Sequence, residues 1–185
     1  MSTTIPRLQL DELRADLRAE LARTEVKGSL GEFFQCAGHI PDALLEFLQL
    51  GDALGGALST SLVEVVALSV AGIMENAYER NRHERRCVEL GFGSDWIAAV
   101  NGLAPDKGVP LSPQERAVQR YVLAAVVRRG SGATREFEAM RDHLSPAEAM
   151  AVILLAGWCV SHALCANTLA LKPPVASIFE KSART

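Results

Sequence analysis

The chain has 185 residues, of which 49% are hydrophobic and 22% charged, and a formal net charge of -3 at pH 7. That length supports one well-buried core and is too short for two ordinary domains. No basic stripe long enough to neutralise a run of phosphates is present, so nucleic acid is not an expected partner.

Helical periodicity dominates and strand patterns are scarce, which predicts an all-α fold. Leu10, Leu13, Leu17 and Leu21 recur at spacings of three and four and predict an amphipathic helix over 8–24, within an N-terminal extension assigned to 1–27. Asp11, Glu12, Asp16, Glu20 and Glu25 interrupt any apolar signal-peptide core there, so the expected location is the cytoplasm. Gly28 and Gly31 loosen the chain. A second helix is expected from Pro41 to about Leu58, opened by its proline, and a third, nearly all apolar, over Leu62–Ile73 after the hydroxyls of Ser59–Ser61. A fourth should run from Ala77 to about Leu90 and stop at Gly91-Phe92-Gly93, with a short helix over Ser94–Val100 and a Gly/Pro loop over Asn101–Pro110.

Ser112-Pro113-Gln114-Glu115 and Ser145-Pro146-Ala147-Glu148 each combine a hydroxyl cap, a proline at the first helical position and a carboxylate at the third. They predict helices running to about Arg129 and to about Leu171, with Thr134–His143 as a short helix between them. The tail 173–185, which opens on Pro173-Pro174, is expected to be loose, leaving 28–172 as the main domain. Val66–Gly72 faintly echoes Val152–Gly157; two buried helices explain this as well as duplication does.

From Ala149 to Leu171 there is no Asp, Glu, Lys or Arg, a stretch long enough to span a bilayer. It contains Ser161, His162, Asn167 and Thr168, and the expected reading is a helix buried in the core or between subunits, with no membrane partner. Cys36, Cys87, Cys159 and Cys165 form no CxxC and no zinc spacing, so reduced thiols and no bound metal are expected. His162 reads as a core or interface histidine, and Trp96 and Trp158 as core.

Asn76, Glu79 and His83 share one helical face. Glu79 and His83 are one turn apart, and a carboxylate beside an imidazole favours the protonated ring and fixes its orientation, as proton transfer requires. Glu64 is a lone charge in an apolar rod, costly unless paired or facing a cavity. In one straight helix Glu64 and His83 would stand roughly 28 Å apart. Contact therefore needs a break, for which Gly72–Asn76 is the natural place, with Asn76 as N-cap. The bland alternative is that Asn76-x-x-Glu79 is only a capping pattern and Glu79–His83 only a surface pair.

The segment Glu64 to Gly91, EVVALSVAGIMENAYERNRHERRCVELG, resembles the core motif of the carboxymuconolactone decarboxylase and alkylhydroperoxidase D superfamily. Members carry a glutamate, an apolar run, a CxxC or its replacement twelve residues on, a histidine four residues later and a closing glycine. Glu64 falls on the family glutamate, His83 on the histidine, and Asn76 and Glu79 on the two cysteine positions. His39–Leu44 resembles the upstream proline segment and Leu111–Leu171 the C-terminal helices, so the resemblance covers about 30–172. It implies an alkylhydroperoxidase D-like helical bundle of one domain, assembled as a trimer or hexamer.

The missing thiols remove the peroxidase cycle, which needs a nucleophilic and a resolving cysteine. Cys87 lies one turn after His83 but has no resolving partner. Many relatives with glutamate at the second cysteine position carry Tyr-Glu-Trp before the histidine; here Tyr78-Glu79-Arg80 puts a cation where the aromatic stood, which bears on the shape of the pocket. The expected function is cofactor-independent acid–base chemistry on a small organic acid or lactone: decarboxylation, isomerisation or elimination. His83, Glu79 and Glu64 would be catalytic, and Tyr78 and Asn76 would bind substrate. The alternative is a non-catalytic helical oligomer that binds a ligand or partner; an alkylhydroperoxidase-like antioxidant stands third.

Overall fold

The computed structural model describes residues 5–24, 31–107 and 110–180. Those residues are all-helical: α1 (Ala15–Thr24), α2 (Glu32–Ala37), α3 (Pro41–Gly56), α4 (Thr60–Ile73), α5 (Ala77–Glu89), α6 (Ser94–Asn101), α7 (Pro113–Val127), α8 (Thr134–Arg141) and α9 (Pro146–Thr168). The centre is α4, which packs against α5, α6, α7 and α9. Leu62, Val65, Val66 and Leu68 are fully buried, as an all-round apolar helix demands, and each contributes roughly 1.5–3 kcal/mol relative to exposure. Ser69 lies in the same rod, and Gln119 of α7 donates to its Oγ at 3.2 Å and to the carbonyl of Val100 at 2.8 Å.

The two Ser-Pro-x-Glu starts behave as their chemistry requires. Ser112 Oγ accepts from Glu115 N at 3.2 Å and Glu115 returns the bond to Ser112 N at 2.7 Å; Ser145 and Glu148 repeat the exchange at 3.3 and 2.8 Å. By length and composition α9 could cross a membrane. Val152, Leu155, Ala156 and Ala163 nevertheless bury one face of it, and it packs on α4, α3 and α7 as a core helix.

Three expectations are corrected. The N-terminal helix does not run through 8–24: a 3-10 turn at Leu10–Glu12 closes on a reciprocal Gln9–Glu12 cap, and Leu13 is extended before α1 begins. Leu13, Leu17 and Leu21 are buried while Leu10 is about half exposed, so the turn rotates Leu10 off the apolar stripe. The six-residue α2 carries no signal in the sequence; burial of Phe33 and Cys36 against α1, α3 and Tyr78 holds it without a side-chain cap. The tail is not loose over 173–180. Glu84, fully buried, accepts from Ser177 Oγ at 2.5 Å and Ile178 N at 3.1 Å, and Asn81 and Arg85 donate to the carbonyls of Val175 and Ala176. Residues 181–185, and with them the end of the expected loose tail, lie outside the described residues, as does Gly28.

Candidate active site

The break between α4 and α5 builds the site. α4 stops at Ile73, Glu75 takes a left-handed φ of 51°, and Asn76 caps α5 by accepting from Glu79 N at 2.9 Å. Two asparagines fasten this turn to α9: Asn76 Nδ2 donates to Ala163 O at 3.2 Å and Asn167 Nδ2 to Met74 O at 2.7 Å. The chain thus folds back, so that Glu64 near the start of α4 meets the middle of α5.

His83 Nδ1 lies 2.6 Å from Glu64 Oε2, and its Nε2 lies 3.6 Å from Glu79 Oε2. Glu64 is fully buried; its second oxygen accepts from Arg86 Nε at 2.9 Å. Burial acts to lower the His83 pKa, but the Glu64 and Glu79 carboxylates outweigh it and raise the ring to about 9. Burial likewise acts to raise Glu64, and the His83 ring and Arg86 guanidinium overcome it, leaving the carboxyl below its ordinary range. The result is an imidazolium fixed through Nδ1, with its Nε2 proton less firmly engaged.

Glu79 is held from three sides. Arg82 donates to its Oε1 at 3.0 Å, His83 faces Oε2, and His162 of α9 places Nδ1 3.0 Å from Oε1, at an angle that does not form a well-aligned hydrogen bond. Burial alone would raise this carboxyl; the His162 and Arg82 neighbours hold it well below the ordinary range instead. His162 is only 3% exposed and sits in an aromatic cluster, edge-on to Phe33 at 3.7 Å between ring centres and stacked with Trp158 at 5.8 Å.

These groups share the wall of a cavity of about 630 Å³, which also includes Phe33, Phe47, Gly51, Gly55, Arg82, Arg86 and Trp158. Glu64, Glu79 and His83 are therefore brought together, as the sequence suggested. Asn76 and Tyr78, expected to bind substrate, are not: neither lines the cavity. Asn76 spends both ends of its amide on the backbone, and Tyr78, 2% exposed, packs with α1 and α2 while Phe33 N donates to its hydroxyl at 3.4 Å. Arg80, in the family's aromatic position, also points elsewhere, toward Glu84 at 3.9 Å. The guanidinium groups that do line the cavity are those of Arg82 and Arg86.

Sequence reasoning set His162 aside as core. It is core, and it also touches Glu79. The available signal was its position as the one imidazole in a stretch of helix without charge from Ala149 onward, where a buried polar ring needs a partner. Cys87 and Cys159 are both near the site: Cys87 donates to Glu64 Oε2 at 3.7 Å and Cys159 lines the cavity. Burial, reinforced by the nearby carboxylates, pushes both thiols up, away from the thiolate a nucleophile needs. Among the described residues no group of three or more His, Cys, Asp and Glu side chains is arranged to hold a metal ion.

No family model matches the sequence, and no curated protein is significantly similar to it. Solved structures do match. The debrominase Bmp8, with a cysteine replaced by alanine and 2,3,4-tribromopyrrole bound, superposes with a TM-score of 0.81 at 15% identity, covering 94% of this chain and 92% of its own. The alkylhydroperoxidase AhpD core of an uncharacterised peroxidase-related protein from Ralstonia eutropha gives 0.76 at 21%, over 93% and 94% of the two chains. A protein of unknown function from Agrobacterium tumefaciens, likened to the antioxidant defence protein AhpD, gives 0.69 at 21%, over 76% and 96%. The chain therefore has the alkylhydroperoxidase D-like helical fold that its Glu64–Gly91 motif resembles.

Proposed function

We propose that this chain is an acid–base enzyme acting, without a cofactor, on a small organic acid or lactone, by decarboxylation, isomerisation or elimination. One observation carries the reading: His83 is clamped between Glu64 and Glu79 at the wall of a cavity large enough for a small metabolite. With its pKa raised to about 9, the ring is protonated at neutral pH and serves as general acid through Nε2. Glu64 keeps it charged and oriented, and Glu79, ionised beside Nε2, orients the ring and is the carboxylate that takes the proton from carbon where isomerisation or elimination requires one. Arg82 and Arg86 offer donors for a substrate carboxylate. The fold is one that also serves a debrominase, a catalyst that takes a small ring compound. The raised thiols argue against the peroxidase reading.

Decarboxylation and isomerisation deliver a solvent-exchangeable proton to carbon, so deuterium incorporation reports them without a known substrate, and elimination shows itself as new alkene signals in the same spectra. Small unsaturated acids and lactones would be incubated with the protein in D2O and followed by NMR. Wild type should label a member of the panel and His83→Ala should slow this by about 10²–10⁴. Equal labelling by both proteins would overturn the assignment.

The alternative, a non-catalytic oligomer, draws on a different surface. The outer face of α9 leaves Met150, Leu154 and Leu164 half exposed, and we propose that a second copy of the chain covers it, in the cytoplasm, as part of a trimer or hexamer. If this were the whole function, His83→Ala and Glu79→Ala would lose thermal stability and change no reaction.

A further inference from the structure

On α3 the wall of the cavity passes from the side chains of Phe47 and Leu48 to bare backbone toward the C-terminal end of the helix. Gly51 and Gly55 stand one turn apart in the helix and both line the space. Gly51 lies inside the helix, where glycine is unfavourable by roughly 0.5–1 kcal/mol relative to alanine and calls for a reason; Gly55 sits in its last turn beside Gly56, which also lines the space. At Gly51 the reason is visible: an added Cβ would lie 2.7 Å from Cζ2 of Trp158, whose indole rests against the helix backbone and stacks on Phe47 at 4.8 Å. At Gly55 an added Cβ would meet nothing within 4 Å among the described residues. The same bare backbone that receives the flat Trp158 ring is repeated one turn on with nothing resting on it.

The charges lie on other walls. Glu64 is sealed and Glu79 nearly so, each behind its partners, while Arg82 is 26% and Arg86 59% exposed. The accessible atoms on the α5 side are thus cationic. Among the described residues, Asp52, exposed on α3, is the one carboxylate of the cavity outside that cluster.

We infer that the cavity selects a planar, conjugated carboxylate, its flat face laid on the backbone at Gly55 beside Trp158 and its carboxylate turned to Arg82 and Arg86. This rests on the acid–base reading for the chemistry but specifies the shape of the substrate. A puckered ring of equal size would lift off the helix, and a neutral isostere would forgo the charge attraction of Arg82 and Arg86, whose guanidinium groups also pair with Glu79 and Glu64.

Calorimetric titration of the full chain with benzoate, cyclohexanecarboxylate and benzamide tests it. Benzoate should bind saturably, cyclohexanecarboxylate roughly three- to tenfold more weakly, and benzamide at least about tenfold more weakly. Gly55→Leu should abolish benzoate binding and Gly55→Ala weaken it, with unchanged circular dichroism in both. No benzoate binding, equal affinity for cyclohexanecarboxylate, or full affinity in a folded Gly55→Leu protein would each overturn the inference. Benzoate is not expected to be turned over, so the two readings fail separately. Planar selectivity without deuterium exchange retires the acid–base reading alone, and exchange without planar selectivity retires only the slot.

Discussion

Nδ1 of His83 lies 2.6 Å from Oε2 of Glu64, a residue nineteen positions earlier on the preceding helix. The contact exists because α4 and α5 fold back at Asn76, and it sets the charge state of the site. The His83 pKa is raised in the folded protein, so the stabilisation is fully present below about pH 6.5, the unfolded value, and is lost as pH rises through about 9. The difference in melting temperature between wild type and His83→Asn should therefore shrink between pH 6.5 and 9. In Glu64→Gln, the NMR titration midpoint of the ring should fall from near 9 toward the ordinary value; a midpoint that stays put would show that Glu64 does not charge the ring.

Glu79 gives the opposite pH dependence. Its carboxyl is held well below the ordinary range, so its contribution is present above about pH 4.5 and is lost as pH falls through the folded value. His162→Phe keeps a ring in the aromatic cluster and removes Nδ1. We expect a loss of about 1–3 kcal/mol in urea unfolding at pH 7, narrowing under acid conditions. A loss that is constant with pH would assign His162 to packing alone.

What the sequence disclosed and what it hid differ in range. Asn76 as a cap, the Ser112 and Ser145 capping boxes and the Glu64–His83 pairing were all legible, because each is written in local spacing or in one contiguous motif. His162, Trp158 and the glycine face of α3 come from elements far away in the chain, and no local pattern announces that they line one cavity with Glu79. Tyr78 was misplaced because its neighbour Glu79 faces the cavity, and adjacent helical residues point about 100° apart. The short α2 was missed because tertiary burial of Phe33, and not propensity, holds it.

The tail supplies a third expectation. Glu84 is fully buried and accepts from Ser177 Oγ, Ile178 N and Asn101 Nδ2. Ser177→Ala leaves one of these lone pairs unmatched and should cost about 1–3 kcal/mol in thermal or urea unfolding. Hydrogen exchange should rise in α5 more than in α7, since the strap touches α5; uniform acceleration would mean a global effect.

The outer face of α9 gives a fourth. Leu154 is 50% exposed in the middle of a helix that carries no charge from Ala149 to its C-terminus. If a second copy covers it, Leu154→Glu places a carboxylate in an apolar interface, and light scattering should show a smaller species. An unchanged mass would put the contact elsewhere.

The two glycines of α3 make the last expectation, in which one substitution type has opposite signs a turn apart. Gly51→Ala improves helix propensity by about 1 kcal/mol but drives a methyl into the Trp158 ring, and overpacking of this kind typically costs about 1–3 kcal/mol. The indole is also tethered through Nε1 to Phe47 O at 2.8 Å, so it has little room to retreat. The net effect should be destabilising, with a shift in tryptophan emission. Gly55→Ala meets no neighbour and, in the last turn of the helix, keeps part of the propensity gain, so it should stabilise the fold by up to about 0.5 kcal/mol while weakening ligand binding. Gain of stability with loss of binding at one position is the signature of a glycine kept for a ligand. If Gly55→Ala lowered both stability and binding, the bare face of α3 would have a packing origin instead.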